Sequence, residues 1–217
     1  MRLSLVVMLA AIAFVDAAPQ TPQRGAQPPA APAGQPGAPG ARGGRGRGAV
    51  QVMTLTSSAW SDGGQIPVKY TQAGEEASPP LAWSNVPVMP DGAATSFVLI
   101  VHDVDAATGS GTDDLLHWML WNIPGTAAGL PERVPPGSQL PDGTRQISAT
   151  GPNYRGPGAL ASGPAHHYVF ELFALDAMLD VPAVGASPPQ TRAAVAAAMA
   201  GRVRGKAVYV GLFKRQP

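Results

Sequence analysis

A mostly β fold, a sandwich or barrel carrying one late helix, is what the sequence predicts for residues 50–217, and three observations point to it. Short apolar runs rich in Val, Ile, Phe, Trp and Tyr succeed one another: QVMTLTS, QIPVKYT, SFVLIVHDV, LLHWMLWNI, HHYVFELFAL and KAVYVGLF. Runs this short favour strands over helices. Between them lie turn clusters such as SDGG, MPDG, ATGSGTDD and LPDG, where Gly, Pro and Asp let the chain reverse. Only SPPQTRAAVAAAMAGR carries helix punctuation: Ser187 as cap, Pro188 at the first helical position, Gln190 three residues after the cap, an alanine-rich body and a closing Gly201.

Taken in chain order, residues 1–17 (MRLSLVVMLAAIAFVDA) hold Arg2, then an apolar stretch from Leu3 to Val15, then small residues at the spacing signal peptidase requires. This predicts a secretory signal cleaved after Ala17. Thirteen apolar residues fall short of the ~20 that span a bilayer, so no transmembrane segment is expected once the signal is cleaved. Residues 18–48 contain seven Pro and eight Gly with no aromatic or β-branched aliphatic residue to bury. Such a stretch cannot offset its own ordering entropy, and residues 18–49 are expected to be a disordered linker before a single domain at 50–217. Within that domain FVLIV (97–101) is apolar on both faces, which predicts a central strand covered from both sides. The helix is expected from Pro188 to Ala200.

Composition narrows the function. The chain has no cysteine, which removes disulfides, thiolate chemistry, Cys-based zinc sites and lipid attachment through an N-terminal cysteine. Residues 50–217 carry ten basic against thirteen acidic residues, so the domain does not read as a nucleic-acid binder. The arginines of the RGGRGRG segment lack interleaved aromatics, and a spacer is the simpler reading of that stretch.

The chemistry lies in polar residues that interrupt apolar runs. Strand alternation places Asp103 and Asp105 on one face and His102 and Val104 on the other. The same rule puts His166 with Tyr168 and turns His167 away. His117 sits alone inside LLHWMLWNI. Carboxylates on a buried face are costly unless something positive or hydrogen-bonding faces them, so Asp103, Asp105, His117, His166 and Tyr168 together suggest a polar pocket. Asp113 and Asp114 read as solvated loop charges.

Three segments, SPPLAW (78–83), FVLIVHDVDAATGSGTDDLLHWMLWNIPG and GPNYRGPGALASGPAHHYVFELFALD, resemble in order and spacing the phosphatidylethanolamine-binding protein family, in its bacterial Raf kinase inhibitor-like branch. The resemblance covers roughly residues 50–215. It implies a Greek-key-like β-sandwich with a small anion-binding pocket and one or two short C-terminal helices. The family's Asp-Pro-Asp-Ala-Pro falls on residues 103–107, with Val104 and Ala107 in place of its prolines, and its strand histidine falls on His117. Its Gly-x-Gly falls on Gly156 and Gly158, the prolines that follow become Ala159 and Leu160, and its His-Arg-Tyr falls on His166, His167 and Tyr168.

The expected ligand set is therefore Asp103, Asp105, His117, Gly156, Gly158, His166 and Tyr168. Two imidazoles, the Tyr168 hydroxyl and the N–H groups of Gly156 and Gly158 would donate to a small phosphate, phosphoryl head group or carboxylate, with an aspartate orienting one histidine. A protein partner is a further class the resemblance implies; no cofactor and no nucleic acid are expected. The alternative is a metal-dependent hydrolase using His117, His166 and Asp103 or Asp105. No HExxH motif supports it, and no GxSxG places Ser110 as a nucleophile.

Overall fold

The computed structural model describes residues 50–90 and 92–217; the signal expected at 1–17 and the linker expected at 18–49 lie outside the described residues. The described chain forms β1 (Gln51–Val52), β2 (Thr54–Thr56), β3 (Gly64–Gln65), β4 (Leu81–Ser84), β5 (Ser96–Thr108), β6 (Asp113–Pro124), β7 (Gly129–Leu130), β8 (Arg145–Ile147), β9 (His166–Leu175), α1 (Pro188–Met199) and β10 (Val203–Phe213). The main sheet runs β1-β10-β9-β5-β6-β8, with β3 also on β10, and a second sheet runs β2-β4-β7. Long antiparallel ladders join β10 to β9, β9 to β5 and β5 to β6, whereas the short β1 and β3 lie parallel to β10.

β5 is central and covered on both faces, as FVLIV predicts. Phe97, Leu99 and Val101 share one core with Trp118, Leu120, Phe170, Leu172 and, from the second sheet, Leu55, Leu81 and Trp83. Val98 and Ile100 point the other way, into a core with Met119, Trp121 and the helical residues Val195 and Met199. Each fully buried large apolar side chain contributes about 1.5–3 kcal/mol. The two cores thereby fix both the sandwich and the docking of α1.

Leu120 and Ile123 reach the same core although three residues apart, because the ladder slips at Phe97/Leu99 and Asn122 adopts φ 58°. A bulge there re-aims the strand, and asparagine tolerates the left-handed region. Its amide is not wasted: Nδ2 donates to Leu179 O at 2.9 Å and Oδ1 accepts from Leu179 N at 2.7 Å. The helix begins as its punctuation predicts, with Gln190 Oε1 accepting from Ser187 N at 3.0 Å, and it ends before Gly201 at φ 77°.

QIPVKYT departs from the strand expected of it. Gly64–Gln65 pairs with β10, but Pro67 has no N–H to give a ladder, and Val68–Tyr70 closes into a single 3-10 turn. Asp114 departs too. Its carboxylate receives both His102 Nδ1 and the Arg192 guanidinium, while His102 Nε2 lies 3.3 Å from Glu171, which Lys206 meets at 2.6 Å. One ion cluster thus ties β5, β6, β9 and β10 to α1.

The cluster makes a pH prediction. His102's hydrogen bond holds the Glu171 carboxyl down at about 2 against the opposing effect of burial, with Lys206 adding. Burial opposes charge on His102, but hydrogen bonds to Glu171 and Asp114 outweigh it and hold His102 above its ordinary 6.5. Glu171 therefore contributes stability that is present above 4.5 and lost as pH falls through about 2. His102 contributes stability present below 6.5 and lost as pH rises through its raised value. Denaturant unfolding of Glu171→Gln is expected to show a shallower acid-side loss than the parent. Parallel losses in the two proteins would remove the cluster from the pH response.

Candidate functional site

Where β5, β6 and β9 reach one end of the sandwich, a cavity of about 310 Å³ is lined by Asp103, His117, Gly158, His166 and Tyr168, together with Gln72, Arg155, Ser162 and an apolar rim including Ala106, Leu115 and Leu160. Its position follows from register: Asp103 pairs with Leu115 on β6 and with Tyr168 on β9. Five of the seven residues expected from sequence thus meet in one space. Asp105 and Gly156 do not line it.

Asp103 is the buried anchor. Its Oδ1 accepts from the backbone N–H of Asp105 at 3.0 Å and of Ala106 at 3.1 Å, and its Oδ2 accepts from His166 Nδ1 at 2.8 Å. A carboxylate so buried is tolerated because its lone pairs are met. The same turn ends the regular alternation of β5, and this is why Asp105 leaves the face it was expected to share. Asp105 Oδ2 instead accepts from His167 N at 2.6 Å and His167 Nδ1 at 2.8 Å, out at the surface. The two adjacent histidines divide as alternation requires, His166 inward and His167 outward, each with its own aspartate.

Of the two histidines that an aspartate was expected to orient, it is His166 that has one, and His117 is held differently. Arg155 N donates to His117 O at 3.0 Å, and His117 Nδ1 lies 2.9 Å from Arg155 O, so the segment carrying Arg155 clamps the histidine by backbone alone. The ring stands edge-on to Tyr168 at 5.0 Å. His117 is 1% exposed, and its Nε2 has no hydrogen-bond partner. Burial pushes its pKa below 6.5, against the upward pull of the Arg155 carbonyl and the Asp103 charge.

The glycines shape the wall rather than freeing donors. Gly156 N donates to Glu76 Oε1 at 3.1 Å, and a Cβ at 156 would stand 2.8 Å from the Thr71 and Tyr70 backbone. Gly158 N and Ala159 N both donate to the Tyr168 hydroxyl at 3.1 Å, and a Cβ at 158 would meet the Gln72 amide at 2.5 Å. Burial is the first cause that pushes the Tyr168 hydroxyl up to about 12, with the Gly158 N–H opposing and the Asp103 charge adding. Tyr168 is therefore a neutral phenol that accepts two N–H groups and keeps one proton to give.

Sequence reasoning missed Arg155, Gln72 and Ser162. Arg155 lines the cavity, and its buried Nε has no acceptor. A signal existed, since it is the only basic residue between Gln146 and Ala165. Gln72 had none: it reaches the site from the turn after Tyr70, where its Nε2 donates to Gly156 O at 2.7 Å. Among the described residues no group of three His, Asp or Glu side chains is placed to hold a metal ion.

A two-sheet sandwich with one covering helix and a small cavity at the strand ends, walled by a buried aspartate, two histidines and a tyrosine, defines a pocket-bearing β protein. The chain belongs to the phosphatidylethanolamine-binding protein family, whose sequence pattern it matches over residues 56–214. A UPF0098 protein of Methanothermobacter thermautotrophicus is 42% identical over 165 residues, covering 75% of this chain and 99% of the relative. A Mycobacterium tuberculosis relative, LppC, whose name carries the word lipoprotein, is 34% identical over 169 residues, covering 76% of this chain and 74% of its own. Among solved structures, the phosphatidylethanolamine-binding protein homologue CT736 of Chlamydia trachomatis superposes with TM-score 0.62 at 30% identity, covering 76% of this chain and 99% of that one. YbcL of Escherichia coli does so with TM-score 0.60 at 25% identity, covering 76% and 99%.

Proposed function

We propose that this protein is an exported binding protein whose cavity takes a small phosphate- or carboxylate-bearing ligand. The observation that carries the reading is the cavity itself: an open-mouthed space where the side chains of His117, His166, Arg155 and Tyr168 gather around the buried Asp103. Imidazolium, guanidinium and phenol groups all donate to phosphate or carboxylate oxygens. The volume suits a phosphoryl or carboxyl group with a few further atoms, at the small end of ligand pockets.

Export rests on the N-terminal signal pattern and on the lipoprotein name of one relative. Without cysteine these 217 residues cannot carry a lipid through the usual thioether, so release into the envelope space is the form of export proposed. No helix among the described residues is long and apolar enough to cross a membrane.

Native mass spectrometry of protein purified from an envelope fraction is expected to show a small anion that a His117→Ala/His166→Ala double variant has lost. A bound zinc ion would support the hydrolase reading instead. Empty protein in both preparations would count against the cavity and favour action through a protein partner, to be sought by capture.

A further inference from the structure

We propose that a second cavity, across the β5–β6 hairpin from the first, is a binding site for a small organic cation, a protonated alkylamine whose ammonium meets Asp113 and whose chain lies along α1. This cavity holds about 820 Å³, within the range of small-molecule sites and larger than the 310 Å³ at the strand ends. Its walls are the hairpin turn with Thr108, Gly109 and Thr112, the first residues of β6 from Asp113 to Leu116, and one flank of α1. Leu115 borders both cavities. Beyond it the chain divides them, since Leu116 packs in the core under α1 while His117 lines the first cavity.

The apolar side of the cavity is built by helical spacing. Pro189, Arg192, Ala193 and Ala196 fall at i, i+3, i+4 and i+7, which places them on one flank of α1, beside the row Thr191, Val195 and Met199 that is buried in the core. Proline and alanine present carbon surface there, and their small side chains leave the space open. Leu116 and Ala149 continue that surface on the sheet side.

The polar side decides which head group fits. An anion would find its donors spent. Pro188 and Pro189 have no N–H, Ser187 and Gln190 close a capping box over the next one, and Thr191 N donates to Ser187 O at 2.9 Å. The Arg192 guanidinium lies against both oxygens of Asp114, which also meets His102 Nδ1. The Thr108 hydroxyl donates to the carbonyls of Asp113 at 3.2 Å and Asp114 at 3.3 Å. Asp113 is the charge left over. Among the described residues no side chain pairs with its carboxylate, which stands over Gly109, where a Cβ would come within 2.8 Å of Oδ2. A charged acceptor beside a carbon-lined wall is met by a charged donor on an apolar stem.

The test is titration of the purified protein at neutral pH with octylammonium, octanoate and 1-octanol, followed by calorimetry and NMR. Octylammonium should bind about tenfold or more tighter than the other two, the difference a charge-assisted hydrogen bond makes. Shifts are expected at Asp113, Ala193 and Ala196, with none at His166. Asp113→Asn should abolish the preference for the amine and leave octanol affinity unchanged. Ala193→Leu keeps a good helix former at an exposed position, fills the cavity, and should weaken all three probes. Unfolding midpoints matching the parent's show that both variants fold. Octanoate binding as tight as octylammonium, a preference that survives Asp113→Asn, or shifts centred elsewhere would overturn the proposal. So would failure of octylammonium to bind, and a lysine-bearing peptide that bound in its place would make the cavity a protein-docking groove instead. None of these outcomes bears on the anion pocket, from which the proposal is independent.

Discussion

Asp103→Ala is expected to lower the stability of the domain by about 3–5 kcal/mol, since three hydrogen bonds to one buried carboxyl group are lost at about 1–3 kcal/mol each. The residue is 3% exposed and serves three donors, Asp105 N, Ala106 N and His166 Nδ1. Alanine leaves all three without an acceptor and opens the turn that interrupts β5, so ligand binding should be lost as well. Asp103→Asn separates the two consequences. Its amide oxygen can still accept from the two backbone N–H groups, which should restore most of the stability. Its amide nitrogen then faces His166 Nδ1 and drives the imidazole to carry its proton on Nε2, so the pocket's hydrogen-bonding pattern changes in a protein that still folds. Denaturant midpoints at unchanged m-value measure the first effect and NMR of the His166 ring the second. A loss of less than about 1 kcal/mol in the alanine variant would sink the claim that this carboxylate organises the site.

The parts of this site that were legible from sequence are those fixed by period-two alternation within a long strand. His166 and Tyr168 share a face because β9 runs unbroken through them, and His117 is buried because β6 is apolar on both sides of it. Alternation fails where the strand ceases to be regular. Asp103 folds its own side chain over the N–H groups two and three residues on, local hydrogen bonds that compete with the ladder and rotate Asp105 outward. No pattern of apolar residues encodes that choice. Gly156 was assigned to the pocket by motif, but its role is spacing, since the Tyr70–Thr71 backbone passes too close for any Cβ.

Contacts between distant segments were the least legible. Asp114 looks like a loop charge because its partners, His102 and Arg192, lie on β5 and α1. Arg155 was passed over because its importance rests on a backbone clamp to His117 that exists only once the loop lies against β6. QIPVKYT misled in the opposite way, through composition that suits a strand and a proline that prevents one.

The support behind that clamp leads to the second large effect. Trp118→Ala is expected to cost about 3–5 kcal/mol, the range for emptying a buried aromatic site. Trp118 is 0% exposed and stacks edge-on against Tyr154 with ring centroids 5.3 Å apart. Its indole N–H donates to Gln146 Oε1 at 2.9 Å, and Gln146 Nε2 donates in turn to Pro135 O at 2.7 Å. Tyr154 is the neighbour of Arg155, and its hydroxyl donates to Tyr70 O at 2.9 Å. The cavity left by alanine therefore opens directly behind the segment that fixes His117, and anion affinity should fall along with stability. Trp118→Phe keeps the edge-on contact with Tyr154 and loses the indole donor, leaving Gln146 Oε1 unpaired. It should cost stability yet leave the clamp, and hence affinity, close to that of the parent. If the phenylalanine variant lost affinity as fully as the alanine variant, the hydrogen-bonded chain through Gln146, rather than packing against Tyr154, would be what holds the pocket in shape.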